Sequence, residues 1–371
     1  MIDPAAGRVR RLPVVPIPLP RESLLSWLTH LAAEYDVPRN QIAEACGIVR
    51  TGKALRVTDS GPGSVMHGFG DADLIRMEQA TGLSRDKTQA MTWQRFTGTV
   101  INPQLANDAR GNRFRVMKAN WVDPRELRFC PACIEETGGR WPLEWSTPWT
   151  FACQRHNCYL LAECPACRTP LRAGTVNFRK GTCQGKQRHR LTDAIKRCEA
   201  EYRNWQAPTL RDEVLVELQH LLEKHLISAQ PDTRYIQGDF ADLIAMANFA
   251  LWVAQPEHLN SADPAVAEAF AEFCAAAMTG TGRSLYREPK PMARTAALRV
   301  ASEIVFSSDP WSSAREIIDF ASRPLPVQAL PLHQAWRKRP PQGTTGRLER
   351  IVRSMRIAAP AVRTLDGLII T

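Results

Sequence analysis

Cys130-Pro-Ala-Cys133 is followed, after nineteen intervening residues, by Cys153-Gln-Arg-His156. A Cys-x-x-Cys knuckle turns the chain so that two thiolates face one ion, and a second pair of donors completes the tetrahedron of a structural zinc site. The spacing exceeds the twelve residues of a groove-reading Cys2His2 finger, so no base-reading finger helix is expected here. A second knuckle, Cys164-Pro-Ala-Cys167, repeats the first at an offset of 34 residues. Its partners are less sharply marked: Cys183 and Cys198 lie downstream, with His189 as an alternative donor. The set Cys164, Cys167, Cys183 and Cys198 is preferred because four thiolates make a stable, closed site. Two closed sites imply two structural zinc ions and no catalytic metal.

Eight of the ten cysteines fall between Cys130 and Cys198, a clustering that speaks for metal. No run of 18 apolar residues occurs, so no spanning helix and no membrane partner are expected. Arg8, Arg10 and Arg11 precede Val14–Leu19, but Pro16 and Pro18 break that segment as the core of a signal peptide. A cytoplasmic location follows, where thiols stay reduced and a disulfide framework is out of place. A redox dithiol needs one reactive pair opening a helix in a βαβ context, which neither knuckle offers. Cys46, Cys158 and Cys274 read as small buried hydrophobes. Trp141, Trp145, Trp149 and Phe151, between the first ligands, read as packing for modules too small to have cores of their own.

The net charge of +10 is unevenly spread. Residues 168–203 hold 10 basic against 3 acidic residues and 330–371 hold 8 against 2, whereas 204–329 hold 10 against 16. Two short stretches thus carry more than the whole net charge, which favours a polyanion, with DNA as the leading candidate. The expected contacts are Arg179, Lys180, Lys186, Arg188, Arg190, Lys196 and Arg197 in the first stretch. In the second they are Arg337, Lys338, Arg339, Arg347, Arg350, Arg353 and Arg356. The last four recur every third residue, a slowly winding stripe on a helix suited to phosphates more than to base edges. The acidic stretch between them is suited to a protein partner. No phosphate-binding loop, His-Glu-x-x-His pair or nucleophile elbow is present, so no catalytic residue is expected.

The elements that must carry these groups are mostly helices. Leu24, Leu25, Leu28 and Leu31 place a helix over Glu22–Glu34, and Pro38 opens another over Arg39–Cys46. A helix over Ala72–Ala80, a Thr81-Gly82-Leu83 turn and a helix from Ser84 to about Trp93 resemble a helix-turn-helix corner. The Gly-rich loop Thr58–Gly70 precedes it. From 206 onward helices are expected over Thr209–Ser228, Phe240–Ala254, Pro264–Met278, Ala293–Ser307, Trp311–Ala321 and Leu348–Ile357. The expected fold is mainly α and multidomain. It comprises a helical N-terminal domain with a helix-turn-helix-like corner (1–125), tandem zinc-binding modules (126–205) and a helical C-terminal domain with a basic tail (206–371).

Three features together resemble the TniQ/TnsD family, the target-selection proteins of multi-component bacterial transposons. They are Pro18-Leu-Pro-Arg-Glu-Ser-Leu-Leu-Ser-Trp-Leu, the run from Phe129 and the first knuckle to His156, and the prompt second knuckle followed by Pro170-Leu171. The resemblance covers residues 18–171. It departs from the family after the second knuckle, where Gly is common and Arg168 stands, and at Cys198-Glu199, where a Cys-Gly pair is often seen. The resemblance implies a non-catalytic adaptor that selects or recognises a target and recruits the AAA+ ATPase regulator of the transposase. The target is recognised through the protein's own DNA contacts or through a CRISPR effector complex. It also implies a homodimer in some members and a bacterial, nucleoid-associated setting. A zinc-containing helix-turn-helix transcriptional regulator is the main alternative, and a metal-dependent nucleic-acid enzyme a further one.

Overall fold

The computed structural model describes residues 9–49, 66, 68–96, 126–172, 176–188, 195–227, 233–279, 290–322 and 346–354. These fall into two compact units that meet in sequence at Thr209 and Leu210.

The first unit opens with a proline-rich strap over residues 9–20 and then α1 (Leu24–Glu34). Ser23 caps α1, its Oγ accepting the Ser26 amide at 3.1 Å. The leucine stripe and Trp27 are buried as their spacing requires. α2 (Arg39–Ala45) starts after Pro38 and stops before Gly47, which takes a left-handed φ of 71°. α3 (Asp71–Thr81) ends on Gly82 at φ 70°, and Ser84 caps α4 (Arg85–Ala90). The expected corner is thus two helices about a glycine turn. α4 is shorter than the sequence reading: the chain tightens into a 3-10 turn over Trp93–Phe96. There the Trp93 indole donates to Ser146 Oγ at 3.2 Å, and both aromatic rings are buried. The loop Thr58–Gly70 lies largely outside the described residues.

The rest of this unit is built from short pieces. α5 (Pro131–Glu136) grows directly from the first knuckle, with Pro131 at its first position. β1 (Ala152–Cys153) pairs antiparallel with β2 (Cys158–Tyr159), and β3 (Lys186–Arg188) with β4 (Ile195–Arg197). Isolated bridges Phe129↔Leu161, Glu163↔Pro170 and Thr182↔Glu201 hold these pieces together. Their core is aromatic. Phe129 lies 4.7 Å from Phe178, 5.9 Å from Tyr202 and 5.4 Å from Trp205, centroid to centroid, and Trp141 meets Phe178 edge-on at 5.4 Å. Trp141, Trp145, Trp149 and Phe151 are all buried, so they pack inward.

The second unit is helical: α6 (Glu213–Ile227), α7 (Thr233–Val253), α8 (Pro264–Thr279), α9 (Pro291–Val305) and α10 (Pro310–Ser322), with a further helical stretch α11 over 346–354. α9 is buried along nearly its whole length and packs against α6, α7, α8 and α10. Its Arg299 is buried and paired with buried Asp212, Nε lying 3.1 Å from both carboxylate oxygens. Asp212 also accepts the Val214 and Leu215 amides, so α6 starts at Glu213 rather than at Thr209. The Arg211 and Asp212 amides themselves donate to Asp263. No described helix is long and apolar enough to cross a membrane.

Candidate metal centres and basic surfaces

The side chains of Cys130, Cys133, Cys153 and His156 converge, with all four donor atoms within 4.8 Å of one another. His156 Nδ1 lies 3.4, 3.2 and 3.5 Å from the sulfurs of Cys130, Cys133 and Cys153, and Cys133 Sγ lies 3.6 Å from Cys153 Sγ. Tetrahedral zinc, with bonds of about 2.3 Å to sulfur and 2.0–2.1 Å to nitrogen, requires ligand separations of about 3.5–3.8 Å. The donors fit such an ion. Two arrive from the knuckle at the head of α5, one from β1, and His156 from the β1–β2 turn, where Asn157 takes a left-handed φ of 45°.

The geometry adds two groups that the spacing pattern did not mark. His156 Nε2 lies 3.1 Å from Glu136 Oε1, on α5. This carboxylate fixes the ring with Nδ1 turned to the centre. The signal was present in the sequence as a glutamate one helical turn after Cys133. The second group is Cys158, read from sequence as an inert hydrophobe. It is buried, but its Sγ lies 3.7 Å from Cys130 Sγ. Hydrogen bonds from Cys133, Cys153 and Cys158 hold the Cys130 thiol below the ordinary thiol range and in turn raise Cys133 and Cys158. A divalent cation bound there would displace the thiol protons. The knuckle does open a helix, but no βαβ unit surrounds it among the described residues. By contrast, burial pushes Cys46 up to about 12 and Cys274 up to about 11, in keeping with inert core thiols.

Cys164, Cys167, Cys183 and Cys198 form the second group, again within 4.8 Å, with 3.8 Å between Cys164 and Cys198 and 3.7 Å between Cys167 and Cys183. His189 lies outside the described residues. The Gly185 amide donates to Cys183 Sγ at 3.3 Å. A Cβ on Gly185 would stand 2.6 Å from Thr169 Oγ1 and 2.8 Å from Cys167 Sγ, so glycine lets the strand approach the sulfurs. Arg168 and Glu199, where the family pattern favours glycine, take left-handed φ of 56° and 58°. Burial raises Cys164 and Cys183, whereas Cys167, against burial, is brought down to about 7 by hydrogen bonds with Thr169. Both clusters could hold a metal ion and are compatible with zinc.

Residues 13–160 match the TniQ family model. This stretch of the chain is similar to the TniQ family. A search of curated proteins found no match. The TniQ match spans the strap, α1 to α4 and the whole first centre, and ends before Cys164.

Within the matched stretch, the opening motif turns out to be a joint. Glu22 is buried. It accepts the Ser26 hydroxyl at 2.7 Å, the Leu19 amide at 2.9 Å and Arg140 Nε at 2.9 Å, and pairs again with Arg140 through Nη2. Arg140 also donates to the Ile17 carbonyl at 2.8 Å, Ser26 Oγ accepts the Trp141 amide at 2.9 Å, and Arg21 pairs with buried Glu144 at 2.9 Å. Trp27 donates to the Pro16 carbonyl at 2.8 Å. The motif therefore fastens strap and α1 to the segment between the ligands of the first centre.

The expected basic contacts separate into groups. Arg179 leans on α1: its Nη1 lies 2.9 Å from His30 Nδ1 and 3.4 Å from Glu34. Burial and the guanidinium groups of Arg140 and Arg179 lower the His30 pKa, so the ring stays neutral and accepts. Lys180, Lys186 and Arg197 are exposed. Lys186 lies directly opposite Arg197 across β3–β4, and Arg188 and Lys196 belong to the same strands. Arg347 folds over the Phe306 ring at 5.3 Å, whereas Arg350 and Arg353 are exposed opposite the buried Leu348, Ile351 and Val352. Arg190, Arg337, Lys338, Arg339 and Arg356 lie outside the described residues.

Proposed function

We propose that this chain is a TniQ-type targeting adaptor, with two structural zinc ions, that binds target DNA and recruits the AAA+ ATPase regulator of a transposase. The TniQ match over residues 13–160 carries this reading. Two closed four-donor centres and an aromatic core that turns inward support a scaffold rather than a reaction centre. Like charges facing each other at Lys186 and Arg197 repel in the free protein and are relieved by a polyanion. Arg350 and Arg353 present a second basic surface, and the acidic helices of the second unit suit a protein partner. The corner formed by α3 and α4 offers a further DNA contact. The protein acts in the cytoplasm at the nucleoid, alone, as a homodimer or alongside a CRISPR effector complex.

The test combines duplex binding with partner recovery. The charge reversals Lys186→Glu and Arg197→Glu together should weaken binding to all duplexes alike and reduce the slope of log K against log salt by about two. The tagged protein should recover an AAA+ ATPase from its native cell. An unchanged salt slope removes the hairpin from the DNA surface. Tight binding of one operator without any ATPase supports the transcriptional regulator instead.

A further inference from the structure

Beside the four converging donors of the first centre stands a further thiol, Cys158, in contact with one of them. Cys158 Sγ stands 3.7 Å from Cys130 Sγ, the edge length of a zinc-thiolate tetrahedron. It reaches the cluster from β2, whose Cys158 is paired in register with Cys153 of β1. Cys158 is therefore anchored by the same two-stranded ladder that places a ligand. Its backbone is fastened further by a bridge to Thr209. His156 is held differently. It sits in the turn between the two strands, its side chain is 22 % exposed, and its orientation depends on Glu136, itself 39 % exposed and shared with Arg155. A partly exposed donor in the turn thus accompanies a buried thiol on the paired strand.

We propose that Cys158 is a reserve ligand of the first centre, able to replace His156 and convert a site of three cysteines and one histidine into a site of four cysteines. The exchange breaks the metal–Nδ1 bond, forms a metal–Sγ bond and releases the Cys158 thiol proton to solvent; no electrons are transferred. The exchange requires the Cys158 sulfur to move toward those of Cys133 and Cys153, from a strand position whose cross-strand partner, Cys153, is already a donor. The inference rests on the first cluster being a metal centre.

The experiment uses the full chain as wild type, H156A, C158S and the H156A/C158S double variant, purified with zinc and, in parallel, with cobalt(II). Zinc per chain should be two in wild type, H156A and C158S, and one in the double variant. In the cobalt protein H156A should raise the sulfur-to-metal charge-transfer absorbance by about one seventh, because seven thiolates over both centres become eight. One zinc in H156A, or an unraised charge-transfer band, overturns the exchange. Loss of zinc in C158S alone also overturns it, since Cys158 would then be required with His156 in place. Should the double variant not fold, the cobalt spectrum of H156A decides by itself. Fewer than two zinc ions in wild type would instead sink the reading of the centres on which the inference stands.

Discussion

The joint between the N-terminal helices and the first metal centre can be broken at one carboxylate. Glu22 is 2 % exposed, and Arg140, its partner 118 residues away, has 11 % of its side chain exposed. Glu22→Gln keeps the shape but removes the charge that two guanidinium nitrogens address, and turns an amide group toward them. Hydrogen bonds to charged groups contribute about 1.5–3 kcal/mol, and stranding one member of a buried pair costs about 3–5 kcal/mol. The first unit should therefore lose about 3 kcal/mol in Glu22→Gln and a similar amount in Arg140→Met. Removing both leaves no stranded charge, so the double variant should lose about 2 kcal/mol less than the sum. Urea unfolding followed by tryptophan fluorescence suits the question, because seven of the ten tryptophans precede residue 210 and report the first unit. Additivity within about 0.5 kcal/mol would refute the idea that these groups act as a pair. So would a loss confined to the fluorescence change of the second unit.

Three further outcomes follow from the same structure. Glu136→Gln should weaken metal binding at the first centre by about ten- to a hundredfold in competition with a chromophoric chelator, while the second centre is unaffected. Arg168→Gly should be neutral or stabilising by up to about 1 kcal/mol, whereas Arg168→Val should destabilise by about 1–2 kcal/mol, because a branched side chain resists the left-handed backbone; thermal melting of the metal-loaded protein separates the two. Arg347→Ala should cost the second unit about 0.5–1 kcal/mol through the lost contact with Phe306 and leave DNA affinity unchanged, while Arg350→Ala and Arg353→Ala should do the reverse in a duplex titration.

Local signals were legible wherever the partner lies within a few residues. Ser23 and Ser84 cap the helices that their positions announce, Gly82 turns the corner, and the two Cys-x-x-Cys pairs each bend toward two further donors. The second ligand set also follows from spacing, since Cys183 and Cys198 close on the second knuckle. What was hidden depends on contacts made far along the chain. Glu22 reads as an ordinary first residue of a helix, and only Arg140 makes it a buried anchor. α6 begins four residues later than its apolar pattern, because Asp263, 52 residues on, holds the Arg211 amide and its neighbour. α4 stops early because the Trp93 indole is drawn to Ser146. Cys158 is buried as its reading as a small hydrophobe expects, while its contact with Cys130 depends on the β1–β2 ladder, which no local spacing marks.

The two departures from the family pattern illustrate how magnitudes should weigh such differences. Glycine is favoured after a knuckle's second ligand because the chain turns there through the left-handed region, and Arg168 and Glu199 both adopt it. For a residue with a side chain this costs about 1–2 kcal/mol at each position. The turn recovers part of that locally: the Arg168 amide donates to the Cys164 carbonyl at 2.8 Å, and the Glu199 amide to the Cys183 carbonyl at 3.2 Å. A bound structural zinc contributes about 10–16 kcal/mol. The backbone penalty is therefore several times smaller than the interaction it would have to defeat. A missing glycine cannot veto a four-thiolate site, whereas a missing sulfur would. Ligand sets in such modules are decided by donor atoms and reach, and the residue between them sets only how much strain the turn retains.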